Sequence, residues 1–146
     1  MGPMLGIFRT FRNRFRAIKA ADQIARLLVP AFVYFRGPTG ELDKKMRTDE
    51  FLLSYMYGVF VCAIDVRDIT DDMQRGFTLW ECFDRFFPGE GKQVLSLCNL
   101  RVESGDEQFD SGVAKGYKEM MEVYKSEGQS TLPSLRKHLV RHYAST

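Results

Sequence analysis

The chain predicts an all-α fold: a single domain, residues 1–146, of five to seven helices around a hydrophobic central helix at about 47–69. Three observations predict it. Apolar residues recur at spacings of three and four along most of the chain. Capping patterns and Pro or Gly breaks cut it into helix-length pieces. No internal repeat, low-complexity tract or linker longer than a turn interrupts the pattern.

The first segment, about 5–28, is a basic amphipathic helix. Phe11, Phe15, Ile18, Ala21, Ala25 and Leu28 form an apolar stripe, of which Ala21, Ala25 and Leu28 are expected to pack on the bundle; whether Phe8, Phe11 and Phe15 are buried or exposed is left open by the sequence. Arg9, Arg12, Arg16, Lys19, Gln23 and Arg26 form the opposite stripe. Pro30 is expected to end the helix, because it lacks the N–H and its ring clashes with the preceding turn. AFVYFR at 31–36 is too short for periodicity to choose between strand and helical turn. GPTG at 37–40 reads as a turn.

FLLSYMYGVFVCAI at 51–64 carries no charge. As a helix it spans roughly 21 Å, short of the ~30 Å hydrocarbon core of a bilayer. Charged residues bound it on both sides, so it reads as a core helix. A buried strand in its Val/Phe/Ile-rich second half is the minority reading.

After TDD at 70–72, Thr78 and Glu81 have capping-box spacing, which predicts a short helix over about 79–87 ending at Pro88-Gly89. Residues 91–102 follow as a helix with Val94, Leu95, Leu97, Cys98 and Val102 inward. Ser104 and Glu107 repeat the capping-box spacing and predict a helix over about 105–127. Phe109, Val113, Tyr117, Met120, Met121 and Tyr124 are its inner stripe, and Lys115/Glu119 and Lys118/Glu122 its outer pairs. Gly112 and Gly116 lie one turn apart beside that stripe. Each costs about 1 kcal/mol of helix propensity relative to Ala, so they predict a close helix crossing. The last helix, about 132–143, has Pro133 in its first turn and Leu132, Leu135, Leu139 and Tyr143 inward.

The net charge of +2 conceals an asymmetry: +6 over residues 1–39, −7 over 40–127 and +3 over 128–146. Basic ends and an acidic middle complement each other within one fold or attract different partners. Three cysteines in apolar surroundings, odd in number and with no CxxC, point to buried reduced thiols and a cytoplasmic setting. The basic start lacks the apolar stretch of a secretory signal.

Three motifs point to chemistry and are outweighed. PGEGKQVL at 88–95 lacks the first Gly and the Ser or Thr of a phosphate loop, and reads as an interhelical turn. His138 and His142 share a helix face but lack the Glu of HExxH and a third ligand, so they read as surface histidines. The cluster Asp65, Asp68, Asp71 and Asp72 fails as an EF-hand loop, because Met73 stands where Gly is required. It reads as a solvated loop attracted to the basic first helix. No nucleophile and base stand in a recognisable pattern. The acidic body disfavours nucleic acid.

The functional expectation is a small, non-catalytic cytoplasmic helical protein that binds another protein, in an inhibitor, immunity-type, adaptor or chaperone role. It needs no cofactor and no metal. Its expected contact residues are Phe8, Arg9, Phe11, Arg12, Phe15, Arg16 and Lys19, with Asp65, Asp68, Asp71 and Asp72. The alternative is a peripheral membrane protein whose first helix lies on anionic lipid. An enzyme with a site assembled from scattered residues would require a deep pocket lined by perturbed titratable groups.

Overall fold

The structure is a computed structural model that describes residues 3–144, with side chains from residue 9 onward. Among the described residues six α-helices run in order: α1 Pro3–Phe32, α2 Glu50–Val66, α3 Asp72–Phe86, α4 Gly91–Glu103, α5 Glu107–Lys125 and α6 Pro133–Tyr143. Short 3-10 turns occupy Val33–Phe35 and Lys44–Thr48. The bundle is all-α, as the periodicity predicts. AFVYFR divides between the last turn of α1 and the first 3-10 turn, and Arg36 forms a single bridge to Leu42.

Aspartates start three of the helices. Asp49 accepts from the Leu52 amide at 3.0 Å, Asp71 from Gln74 at 2.9 Å and Asp106 from Phe109 at 3.0 Å. Each satisfies an amide that has no partner inside its helix. Two capping expectations are therefore corrected. Thr78 lies inside α3, where its hydroxyl donates to the Gln74 carbonyl at 2.7 Å. Asp71 starts that helix seven residues earlier. Asp106, not Ser104, starts α5.

α2 is buried nearly all round, from Leu52 to Ile64, and forms the centre of the core. Its main partner is α5, and the two cross closely. A Cβ at Gly58 would overlap the Val113 carbonyl, and one at Gly116 would overlap the Tyr55 carbonyl. A Cβ at Gly112 would overlap the Ser54 hydroxyl. The glycines thus let two backbones approach where any side chain would hold them apart.

α1 packs on α3, and the two run in the same direction: Asn13 meets Met73, Asp22 meets Arg85 and Phe32 meets Phe86. The contact face of α1 is Asn13, Ala17, Ala20, Ala21, Ile24, Ala25, Leu28 and Phe32. Pro30 does not end the helix. α1 continues to Phe32, whose buried ring lies 5.3 Å from that of Phe86. Burying a whole aromatic side chain, about 1.5–3 kcal/mol, offsets the hydrogen bond that Pro30 cannot make.

α6 is held by two carboxylates as well as by Leu135 and Leu139. Glu119 accepts from the Ser134 amide at 2.9 Å, from the Ser134 hydroxyl, and from Tyr55 at 2.8 Å. It caps α6 from the neighbouring helix. Glu119 is therefore not the outer partner of Lys115 that helical spacing suggests.

Candidate functional site

The N-terminal half of α1 carries an exposed ridge of mixed chemistry. A helix turns about 100° per residue, so Phe11, Phe15 and Ile18 fall within an arc of about 60°. Arg12, Arg16 and Lys19 fill the next arc of similar width. The face buried against α3 lies beyond both. Phe11 is 71% exposed, Phe15 64% and Ile18 37%. The sequence leaves the burial of Phe11 and Phe15 open, and the structure places both in solvent. α1 meets α3 through small side chains, and the large apolar ones stand in solvent.

α1 also outruns the body it packs on. Its thirty residues span about 45 Å, against about 22 Å for the fifteen of α3. Residues 9–12 are all exposed, a full turn with no buried face, and among the described residues burial begins at Asn13. The Phe8 side chain lies outside the described residues.

Arg9, Arg12, Arg16 and Lys19 take part in none of the ion pairs among the described residues. Arg14 differs from them. It donates to the buried Glu81 at 2.5 Å, and its guanidinium lies 3.8 Å from the centre of the Trp80 ring and 5.2 Å from that of Phe77. Glu81 also accepts from Arg85 at 3.0 Å, and Arg85 pairs with Asp22 at 2.8 Å. This chain of charges fixes α1 on α3 and sets the direction of the ridge. Lys92 lies on Trp80 as well, 5.8 Å from the ring centre. Among the described residues the ridge therefore has cations outside any ion pair on one flank, and Trp80 in contact with Arg14 and Lys92 on the other.

The acidic cluster does not join this surface. Asp65 pairs with Arg75 at 2.7 Å and accepts from Tyr117 at 2.8 Å, tying α2 to α3 and α5. That bond keeps the Tyr117 phenol protonated and raises its pKa. Asp71 caps α3. Asp72 is exposed at the start of α3, next to the Met73 that touches Asn13 on the side of α1 away from the ridge, and Asp68 is exposed in the turn that follows α2. Among the described residues no ion pair links the cluster to α1.

The other motifs resolve as structure. The Asp84 carboxylate accepts from the amides of Gly89 and Gly91, each at 3.1 Å. A side chain of the protein thus fills the place a phosphate would take at the start of α4. His138 is not a surface histidine. It lies 2.7 Å from Asp49, which also accepts from Tyr143 at 2.6 Å. Burial alone would raise the Asp49 pKa, but the bonds from His138, Tyr143 and the Leu52 amide outweigh it and hold the carboxyl low. The His142 ring lies tilted beside that of His138, with ring centres 4.5 Å apart. Among the described residues no group of three potential ligands gathers around a point where a metal could sit.

Cys62, Cys82 and Cys98 are free and buried. Burial raises all three pKa values, Cys62 to about 11 and Cys98 to about 12. An open groove of about 400 Å³ lies between Glu50, Phe51, Glu107 and Phe109. Glu50 is already paired with Arg101 at 2.6 Å.

No family model matches this chain, and no curated protein or solved structure matches it either. No described helix is long and apolar enough to cross a membrane.

The sequence picks out the cations and Phe11 and Phe15 as contact residues, and the structure brings them together on one exposed surface. Ile18, Arg14 and Trp80 were missed as parts of it. A signal for Ile18 exists in the sequence: Ala17, Ala20, Ala21 and Ile24 form a second stripe beside the Phe stripe, and only one of the two can face α3.

Proposed function

We propose that this chain is a non-catalytic docking protein, and that the ridge of α1 is its contact surface. The observation that carries this reading is the exposure of Phe11 and Phe15 beside four cations that form no ion pair among the described residues. Large apolar side chains gain nothing from solvent, and a partner that covers them gains about 1.5–3 kcal/mol for each ring fully buried. The cations require that partner to be acidic. A protein partner would engage residues 11, 15 and 18 as one face of a docked helix. Inhibitor, immunity-type, adaptor and chaperone roles in the cytoplasm all use such a contact.

The test is fractionation of cell extract containing full-length protein or its Phe11→Ser/Phe15→Ser variant. The wild type is expected in soluble complexes or in the membrane fraction, and the variant in the pool of free protein. Equal melting temperatures would show that the variant is folded. An unchanged distribution of a folded variant would remove the ridge as the contact surface.

A further inference from the structure

We infer that the surface docked by α1 is an anionic lipid bilayer, on which the N-terminal half of the helix lies flat; the inference rests on the ridge being the contact surface. Three observations favour a bilayer over an acidic protein groove. The first is the arc that remains free. From Asn13 onward the face formed by Asn13, Ala17, Ala20, Ala21 and Ile24 is buried against α3. A groove encloses a helix, and α3 already fills that side. A flat surface needs only the outer arc.

The second is the order of groups around that arc. Phe11, Phe15 and Ile18 form its crest. Arg12, Arg16 and Lys19 flank it on one side, and on the other stands Trp80, with Lys92 5.8 Å from its ring centre and Arg14, paired with Glu81, over its ring. A helix in the plane of a membrane interface carries this arrangement. Rings enter the acyl boundary, cations meet phosphates and carboxylates at its edges, and an amphipathic Trp sits at headgroup level. The third is electrostatic. Asp72, next to the Met73 that meets Asn13, lies away from the crest, and Asp22, which follows Ile18 on the crest side, is paired with Arg85 at 2.8 Å.

The cations act additively on a charged surface, each contributing about a fivefold gain in partitioning. The rings supply the part that salt does not screen. Binding should therefore require both.

The experiment is co-sedimentation of full-length protein with phosphatidylcholine vesicles, with and without phosphatidylserine, at low and high salt. The expected result is binding only to vesicles with phosphatidylserine, weakened by salt. Phe11→Ser/Phe15→Ser and Arg12→Glu/Arg16→Glu should each lose at least tenfold in binding with unchanged melting temperature. Leu100→Ser, an exposed apolar change on α4, should bind as the wild type does. If the wild type ignores phosphatidylserine at low salt, the bilayer is overturned, while the ridge stays open to an acidic protein. If the wild type binds and both ridge variants bind equally well, the ridge is not the contact, and the lipid inference and the docking surface fail together.

Discussion

Replacing Gly58 with Ala should destabilise the protein, although the same change stabilises an ordinary helix. Gly58 lies in the middle of α2, and a Cβ there would overlap the Val113 carbonyl and crowd the Tyr117 amide of α5. Both obstacles are backbone, so no side-chain rotation relieves the clash and the two helices must separate. Overpacking of a tight core costs about 1–3 kcal/mol. The gain in helix propensity returns about 1 kcal/mol. With rigid obstacles the cost lies at the upper end, and the net loss is about 2 kcal/mol. For a chain of this size that lowers the melting temperature by about 4–8 °C. Gly76 provides the control. It is exposed inside α3, and nothing lies within 4 Å of its added Cβ. Gly76→Ala should gain about 0.5–1 kcal/mol and raise the melting temperature by about 2 °C. Thermal melts followed by circular dichroism would measure both. A Gly58→Ala protein that melts at or above the wild type, alongside a Gly76→Ala protein that melts higher, would refute the close α2–α5 crossing.

Other outcomes follow from the same contacts. The Asp49 carboxyl has a lower pKa folded than unfolded, so it contributes stability above the unfolded value of about 4 and loses it as pH falls through the folded value. Urea midpoints measured against pH should show an acid limb that Asp49→Asn flattens; an equally steep limb in the variant would exclude the contribution. Asp84→Ala leaves the amides of Gly89 and Gly91 without their carboxylate and should cost about 1 kcal/mol, read from urea unfolding. The three native thiols should resist alkylation at neutral pH in the folded protein and react together on unfolding. Fast labelling of one thiol in folded protein would contradict its burial.

The helices were legible because their apolar periodicity is strong and their breaks are sharp. The α2–α5 crossing was legible because two glycines in a helix otherwise well suited to its role need a reason. The side of α1 that meets α3 was not legible in the chain, because hydrophobicity ranks Phe above Ala, whereas a close contact between helices favours small side chains. Ala17, Ala20 and Ala21 bring α1 against α3 and leave Phe11 and Phe15 in solvent. The start of α3 was missed because Thr78 and Glu81 imitate a capping box. Their actual partners, the Gln74 carbonyl one turn back and Arg14 on another helix, are set by the tertiary fold. The same is true of Asp84 and Asp49, whose roles depend on amides and side chains brought to them only by folding. The exposed ridge was half legible: its charges could be read from the chain, but exposure is a property of the packed molecule.

The measurement closest to the central claim places a reporter on the ridge itself. The buried, weakly acidic native thiols allow an introduced Ile18→Cys to be labelled alone with an environment-sensitive dye. Titration with phosphatidylserine vesicles should shift its emission to the blue, and added salt should reverse the shift. The same dye at Leu100→Cys on α4 should not respond. No shift at position 18, or equal shifts at both positions, would contradict the docking of the α1 ridge on an anionic bilayer.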